Sequence, residues 1–347
     1  MAIDWTIIFP AVVGPLMTFQ GAAGSKLAAL GGGPGFSTFI IFFFAFFPAL
    51  ILWLADTNGG SSPDLALGRA NTQWFAYLCG LCGPFVVLCI CTIIPVLGAS
   101  LYFVVSVTVN MTVALILDNY GLIGLPQNTA STGSIVGLGV ILFSVIVIGF
   151  APSKVVPPAQ ELPDSPGVVQ AHEHKVDVVK AEEESATSSK VNKGSLFKYS
   201  IFLAFAAMAG ALGSVQAGLS YSLSVGYGSS SFSVMANSGL AVVPSFLAFL
   251  VQHSKQPTDF RKVFREAPWW SWIAAPVNFA FICTVTYLPA RLGTAVLVGT
   301  MTCTTLLAAT IFDHFGLFGL PVQKVSALKA GGIMLLLAGV IVMSIYK

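Results

Sequence analysis

Asp118-Asn-Tyr-Gly-Leu-Ile-Gly-Leu-Pro126 returns as Asp313-His-Phe-Gly-Leu-Phe-Gly-Leu-Pro321, 195 residues further along the chain. In each copy an apolar segment runs into an acid and then a Gly-Leu-x-Gly-Leu-Pro run, a chain-turning signal that ends a helix. The repetition divides the chain into two halves of one ancestral unit. It constrains topology, site location and mechanism together.

Working outward, the halves align by hand. At an offset of 196, Gly14, Leu16, Gln20, Leu27, Phe36, Ser37 and Pro48 match Gly210, Leu212, Gln216, Leu223, Phe232, Ser233 and Pro244. At an offset of 195, Trp74, Leu97, Gly98, Asp118, Gly121, Gly124 and Pro126 match Trp269, Leu292, Gly293, Asp313, Gly316, Gly319 and Pro321. The offset changes between Pro48 and Trp74. Apolar tracts match by chance at Leu and Gly, but not at an ordered series of Gln, Trp, Asp and Pro.

The solvent for this chain is lipid. Of 347 residues, 56% are hydrophobic and 9% charged, and mean hydropathy is +0.85; a soluble domain carries about 25% charged residues. A net charge of +2 gives no reason to expect nucleic acid. The leader Met-Ala-Ile-Asp4 has an acid where a signal peptide needs a basic region, so the first apolar segment reads as a retained helix. Cys79, Cys82, Cys89 and Cys91 share one segment with neither a second CxxC pair nor ligating histidines, and they read as buried structural thiols.

A membrane-spanning helix needs about 20 apolar residues. The first half offers Trp5–Leu30, Phe36–Ala55, Trp74–Ile94, Val96–Leu117 and Gly133–Phe150. The second offers Tyr199–Val225, Ser231–Val251, Trp269–Leu288, Leu292–Phe312 and Leu328–Tyr346. The fold expected is therefore an all-α integral membrane protein of ten transmembrane helices. Residues 1–150 form one repeat and 196–347 the other. The stretch 151–195, rich in Pro, Glu, Lys and Ser with Glu182-Glu183-Glu184 at its centre, is a disordered polar linker. His172 and His174 within it read as part of a solvated tract, with metal contact as the alternative.

An odd number of spans per unit makes the second copy enter the bilayer inverted, with a substrate site near the midplane between the copies. Outside the linker, seven basic residues fall on the linker side and three on the other. The positive-inside rule then expects a cytoplasmic linker and external termini in the plasma membrane.

These residues resemble the YdcZ-type family of the drug/metabolite transporter superfamily. The likeness rests on Gln in the first helix, a Trp-headed third helix with glycines, a P-x-x-G turn and the Asp-x-Phe/Tyr-Gly-Leu-x-Gly ending, and it spans both halves. It implies a small-molecule transporter, labelled an exporter. The chain departs from the family pattern in places. Asn110 and Thr305 stand where the family usually has Gln, and the turn is intact at Pro95-Val-Leu-Gly98 but shifted at Pro289-Ala-Arg-Leu-Gly293. The basic residue before the last helix is Lys329 in one half and Ser134 in the other.

Gln20 and Gln216 lie inside the first helix of each repeat, either as helix-to-helix glue or as substrate contacts; Asn110 and Thr305 carry the same two readings. Asn237 and Asn278 are further candidates for the pocket. Asp118 and Asp313 serve either coupling or structure; at helix ends, organisation of the turn is the preferred reading. His314 beside Asp313 could titrate near neutrality, but its counterpart is Asn119. Lys26 reads as snorkelling to the interface, with anion binding as the alternative. Gly14, Gly80-x-x-Gly83, Gly133-x-x-x-Gly137 and Gly210-x-x-Gly213 are close-packing positions.

The function expected is a secondary transporter, an exporter working by alternating access on a neutral, amphipathic or weakly charged small metabolite. Its partners would be that substrate, the lipid bilayer and a proton or other ion. Two alternatives come from other classes. A non-transporting scaffold or receptor would act through the linker. An intramembrane enzyme would need a catalytic set such as HExxH or GxSxG, and the chain has neither. Gly31-Gly-Gly-Pro-Gly35 lacks the Lys-Ser/Thr of a P-loop and is a turn, so no cofactor is called for.

Overall fold

The computed structural model describes residues 5–58, 63, 65–125, 127, 129, 131–149, 193–292, 294–320 and 322–345. Met1–Asp4, the linker at 151–192 with His172 and His174, Pro126, Pro321, Gly293 and the side chain of Ser134 lie outside this set.

Ten helices of 14 residues or more are present among the described residues. In the first half they are α1 (Ile8–Leu27), α2 (Gly33–Asn58), α3 (Cys79–Leu97), α4 (Ala99–Tyr120) and α5 (Thr132–Gly149). In the second they are α6 (Lys193–Tyr227), α7 (Ser230–Lys255), α8 (Ala274–Tyr287), α9 (Thr294–Phe315) and α10 (Ala327–Ile345). Five described stretches are long and apolar enough to cross a membrane: Trp5–Asn58, Trp74–Leu97, Ala99–Tyr120, Tyr199–Tyr227 and Ser230–Lys255.

The first of these, 54 residues long, is two helices and not one. At the Gly-rich turn, Gly31 takes φ 102 and Gly33 φ 69, values open to glycine and costly for other residues. The chain doubles back there, because the Ser37 hydroxyl of α2 donates to the Gly24 carbonyl of α1 at 2.8 Å. In the second half Ser233 donates to Ser220 at 2.6 Å, the same bond at the same offset.

The repeated ending has one backbone in both copies. Gly121 and Gly316 are left-handed (φ 59 and 63), and so are Ile123 and Phe318 (φ 60 and 58) and then Gly124 and Gly319 (φ 78 each). Glycine at the helix C-terminus makes that first step free of Cβ strain. The Trp-headed segment differs from one expectation. Trp269–Leu288 is not a single helix: a 3-10 turn at Trp269–Ile273 precedes the 14-residue α8, just as Trp74–Leu78 precedes α3. Pro268 holds the preceding backbone extended and cannot donate into the new turn. Sequence reading also missed the seven-residue helices Leu65–Asn71 and Phe260–Glu266, which correspond at the offset of 195. The offset therefore changes before Leu65, in the segment after α2.

Helix packing repeats on exchange of the halves. α1 packs on α9 as α6 packs on α4, α3 packs on α6 as α8 packs on α1, and α2·α7, α5·α10 and α4·α9 pair with their own counterparts. Each self-pair runs antiparallel. Gln252 near the end of α7 bonds Gly35 at the start of α2 (2.5 Å), while Ser231 at the start of α7 donates to Asp56 near the end of α2. Asp313 at the end of α9 bonds the start of α4, and Gly332 and Gly339 of α10 sit against Ile148 and Ile141 of α5.

Candidate functional site

The centre of the molecule is built by glycines and hydroxyls in α1 and α6. A Cβ on Gly14 would fall 2.5 Å from the Met301 carbonyl oxygen of α9; one on Gly210 would fall 1.9 Å from that of Ser106 in α4. Only glycine permits these crossings. One helical turn on, the Thr18 hydroxyl donates to the Thr305 carbonyl at 3.0 Å and the Ser214 hydroxyl to the Asn110 carbonyl at 2.5 Å. Thr18 and Ser214 match at the offset of 196, and the pairs Met301/Ser106 and Thr305/Asn110 match at 195. The two crossings are therefore counterparts of each other.

Between them lies a cavity of about 100 Å³. Its walls come in matched pairs from the two halves: Ser106 with Met301, Val107 with Thr302, and Asn110 with Thr305. Ile90 with Val285 and Met17 with Gly213 extend the pairing to α3, α8, α1 and α6. The cavity thus lies where the two halves exchange. Its surface is mainly apolar, with Asn110, Ser106, Thr302 and Thr305 as its polar residues and Tyr102 in the wall.

The polar groups are unequal. Thr305 is buried and its hydroxyl donates to the Met301 and Gly14 carbonyls, at 2.7 and 3.0 Å. Asn110 is half-buried, and its side-chain oxygen accepts from Ser214. Tyr102 is 1% exposed, with the Ser106 side chain one turn on as a polar neighbour of its hydroxyl.

The other expected residues stand apart from this lining. Gln20 donates to the Asn278 side-chain oxygen at 3.2 Å, joining α1 to α8, and leaves Gln20 Oε1 and Asn278 Nδ2 without partners among the described residues. Gln216 donates to Asn237 at 3.5 Å, and Asn237 donates to Ser220 at 2.8 Å. Gln216 also lies against Gly83 of α3, the counterpart of Asn278, so glycine makes room where the other half has an amide. The structure brings Asn110 and Thr305 together and places the remaining four in two amide clusters. Sequence reading passed over Thr18, Ser214, Tyr102 and Ser106. The signal for the first two was a hydroxyl at the same offset in both first helices.

Both repeated aspartates are buried, Asp118 at 5% and Asp313 at 0% exposure. The Asp313 carboxylate accepts from the Ala99 and Ser100 backbone N–H groups, at 3.0 and 2.7 Å. It therefore caps α4, a helix of the opposite half, where the dipole favours an anion. Lys329 donates to the Ser100 hydroxyl at 2.6 Å and Gln323 to the Leu97 carbonyl at 3.1 Å, closing the same junction. The turn itself is organised by its glycines, and His314 accepts from the Val325 N–H at 3.3 Å. Lys26 is half-buried at the end of α1. All six cysteines are free thiols, and the four on α3 are buried.

A family model described as "Putative inner membrane exporter, YdcZ" matches residues 5–147 and again residues 201–342. No curated protein and no solved structure matches the chain. The two matched stretches take in both halves and most of the sequence. The chain belongs to this family and is an integral membrane protein of the transporter and exporter kind.

Proposed function

We propose that this YdcZ-family chain is a secondary transporter in which two five-helix units, inverted relative to one another, carry a small metabolite by alternating access. The observation that carries the reading is the central cavity walled by counterpart residues of both halves. A site on an exchange axis is reached equivalently from either face when the two units rock against each other. The antiparallel self-pairs α2·α7, α4·α9 and α5·α10 support inversion. The odd number of spans in each unit supports it too.

The substrate site is the lining around Asn110 and Thr305, with Ser106 and Thr302 as further polar contacts. Gln20 with Asn278, and Gln216 with Asn237, form flanking polar stations; the unused acceptor on Gln20 and donor on Asn278 face a substrate in other stages of the cycle. Asp313 is a structural cap, Asp118 takes the same role as its counterpart, and coupling to an ion or to the substrate's own gradient acts through the rocking of the units. The linker is cytoplasmic and only joins the halves.

A thermal-shift metabolite screen on purified protein tests this. A ligand that stabilises the wild type should lose most of that effect in Asn110→Ala and in Thr305→Val. Unchanged stabilisation in both removes the central cavity as the site. Deleting Val155–Asn192 should leave flux of that ligand intact, whereas loss of function on deletion would favour the scaffold reading.

A further inference from the structure

The end of α1 opens into a second cavity of about 450 Å³. Lys26 is the one charged residue among its described lining, and no carboxylate is part of that lining. Lys26 has no hydrogen-bond or ion-pair partner among the described residues. Ser25, next to it on the wall, is 6% exposed, and its hydroxyl has no partner among the described residues. It does not bond the carbonyl four residues back, as Thr108, Thr112, Thr284 and Thr310 do. A serine hydroxyl needs only a χ1 rotation to meet an acceptor that enters. Pro95, Phe318 and Leu320 supply apolar wall beside the two donors.

The opposite half does not repeat this chamber. Lys26 corresponds to Ser222, and Gly319 to Gly124. A Cβ on Gly124 would lie 2.8 Å from the Ser222 hydroxyl, whereas one on Gly319 meets nothing within 4 Å. Beside Gly124 the space is filled by a serine, whereas beside Gly319 it is open and Lys26 has no partner among the described residues.

We propose that Lys26 and Ser25 form an oxyanion-binding station on one face only, taking the carboxylate or phosphate of a small amphiphilic substrate whose apolar part lies on Pro95, Phe318 and Leu320. The inference deepens the transporter reading by naming its substrate class. Lys26 supplies the charge and one charge-assisted hydrogen bond, Ser25 a second. The phosphate of an anionic lipid shares this chemistry, so the test separates the two sources.

Phenylacetate and its neutral isostere phenylacetamide serve as probes, titrated against the full chain in phosphatidylcholine nanodiscs. Tryptophan fluorescence is the readout, since the Trp270 ring lies 5.2 Å from that of Phe318. The wild type should bind phenylacetate more tightly than phenylacetamide. Lys26→Gln should weaken phenylacetate by about tenfold, the scale of one lost charged hydrogen bond, and leave phenylacetamide unchanged. Ser25→Ala should have a smaller effect in the same direction, and Lys26→Arg should retain most of the binding. Equal phenylacetate affinity in wild type and Lys26→Gln, or equal wild-type affinity for the two probes, overturns the proposal. Phenylacetate displaced by phosphatidylglycerol in wild type but not in Lys26→Gln assigns the station to lipid and overturns the substrate class. These outcomes leave the Asn110 and Thr305 tests standing, because those variants alter a different cavity.

Discussion

Asp313 shows how far a single residue can be read. Its repetition was plain in the sequence, and its position at a helix end suggested structure over chemistry. Its partners were not legible: the carboxylate bonds Ala99 and Ser100, more than two hundred residues away, and only the tertiary fold brings them together. Replacing it by Asn keeps the size but weakens two charge-assisted bonds and leaves Lys329 beside an uncharged neighbour. We expect Asp313→Asn to cost about 1–3 kcal/mol of stability, read as a lower unfolding temperature in detergent. The double variant Asp313→Asn, Lys329→Met should lose less than the two single effects summed, because it removes the stranded charge as well. Strict additivity would mean that the two groups act independently. Gln20 and Gln216 were conspicuous as amides in apolar helices, yet both bond neighbouring helices outside the central lining. Thr18 and Ser214 were inconspicuous because a lone hydroxyl in such a helix usually bonds its own backbone. Here each bonds a helix of the other half.

Among the elements, close packing and open space can be separated within one helix. Gly210 and Gly213 lie one turn apart on α6. The first meets the Ser106 carbonyl where a Cβ would sit, and the second has nothing nearer than 3.8 Å. Gly210→Ala should force α6 from α4 and destabilise the protein by about 1–3 kcal/mol or more, as overpacking does. Gly213→Ala should leave the unfolding temperature unchanged and lower binding in the central cavity, because its methyl projects toward Asn110. If Gly213→Ala leaves ligand stabilisation untouched, that part of the wall takes no part in binding. Elements with a strong sequence signal were legible: the apolar spans, the glycine turn and the repeated ending. The short helices Leu65–Asn71 and Phe260–Glu266 were not, since seven residues are too few to show an apolar period beside long spans. The division of Trp269–Leu288 into a 3-10 turn and α8 escaped notice for a related reason. Hydropathy does not distinguish the two hydrogen-bonding patterns.

At the scale of the whole molecule, the internal repeat was legible in the sequence, and each copy holds five helices of 14 residues or more among the described residues. Which helices touch was beyond the sequence, because apolar faces on membrane helices are nearly interchangeable and packing is chosen by small residues and scattered hydroxyls. The pairing of α1 with α9 and α6 with α4 supplies the central cavity, and the antiparallel self-pairs supply the case for inversion. The two halves have also diverged, with Lys26 against Ser222 and Asn278 against Gly83. A repeated scaffold thus carries an asymmetric set of polar groups.

Inversion of the two halves is the claim on which the rest depends. Asn71 and Glu266 are counterparts, both exposed, at the ends of the two matching short helices. Single variants Asn71→Cys and Glu266→Cys can be labelled with a membrane-impermeant maleimide in right-side-out and inside-out vesicles, with the unsubstituted protein as the blank. The account predicts labelling from opposite faces, position 71 from outside and position 266 from the linker side. Labelling of both positions from the same face would contradict it.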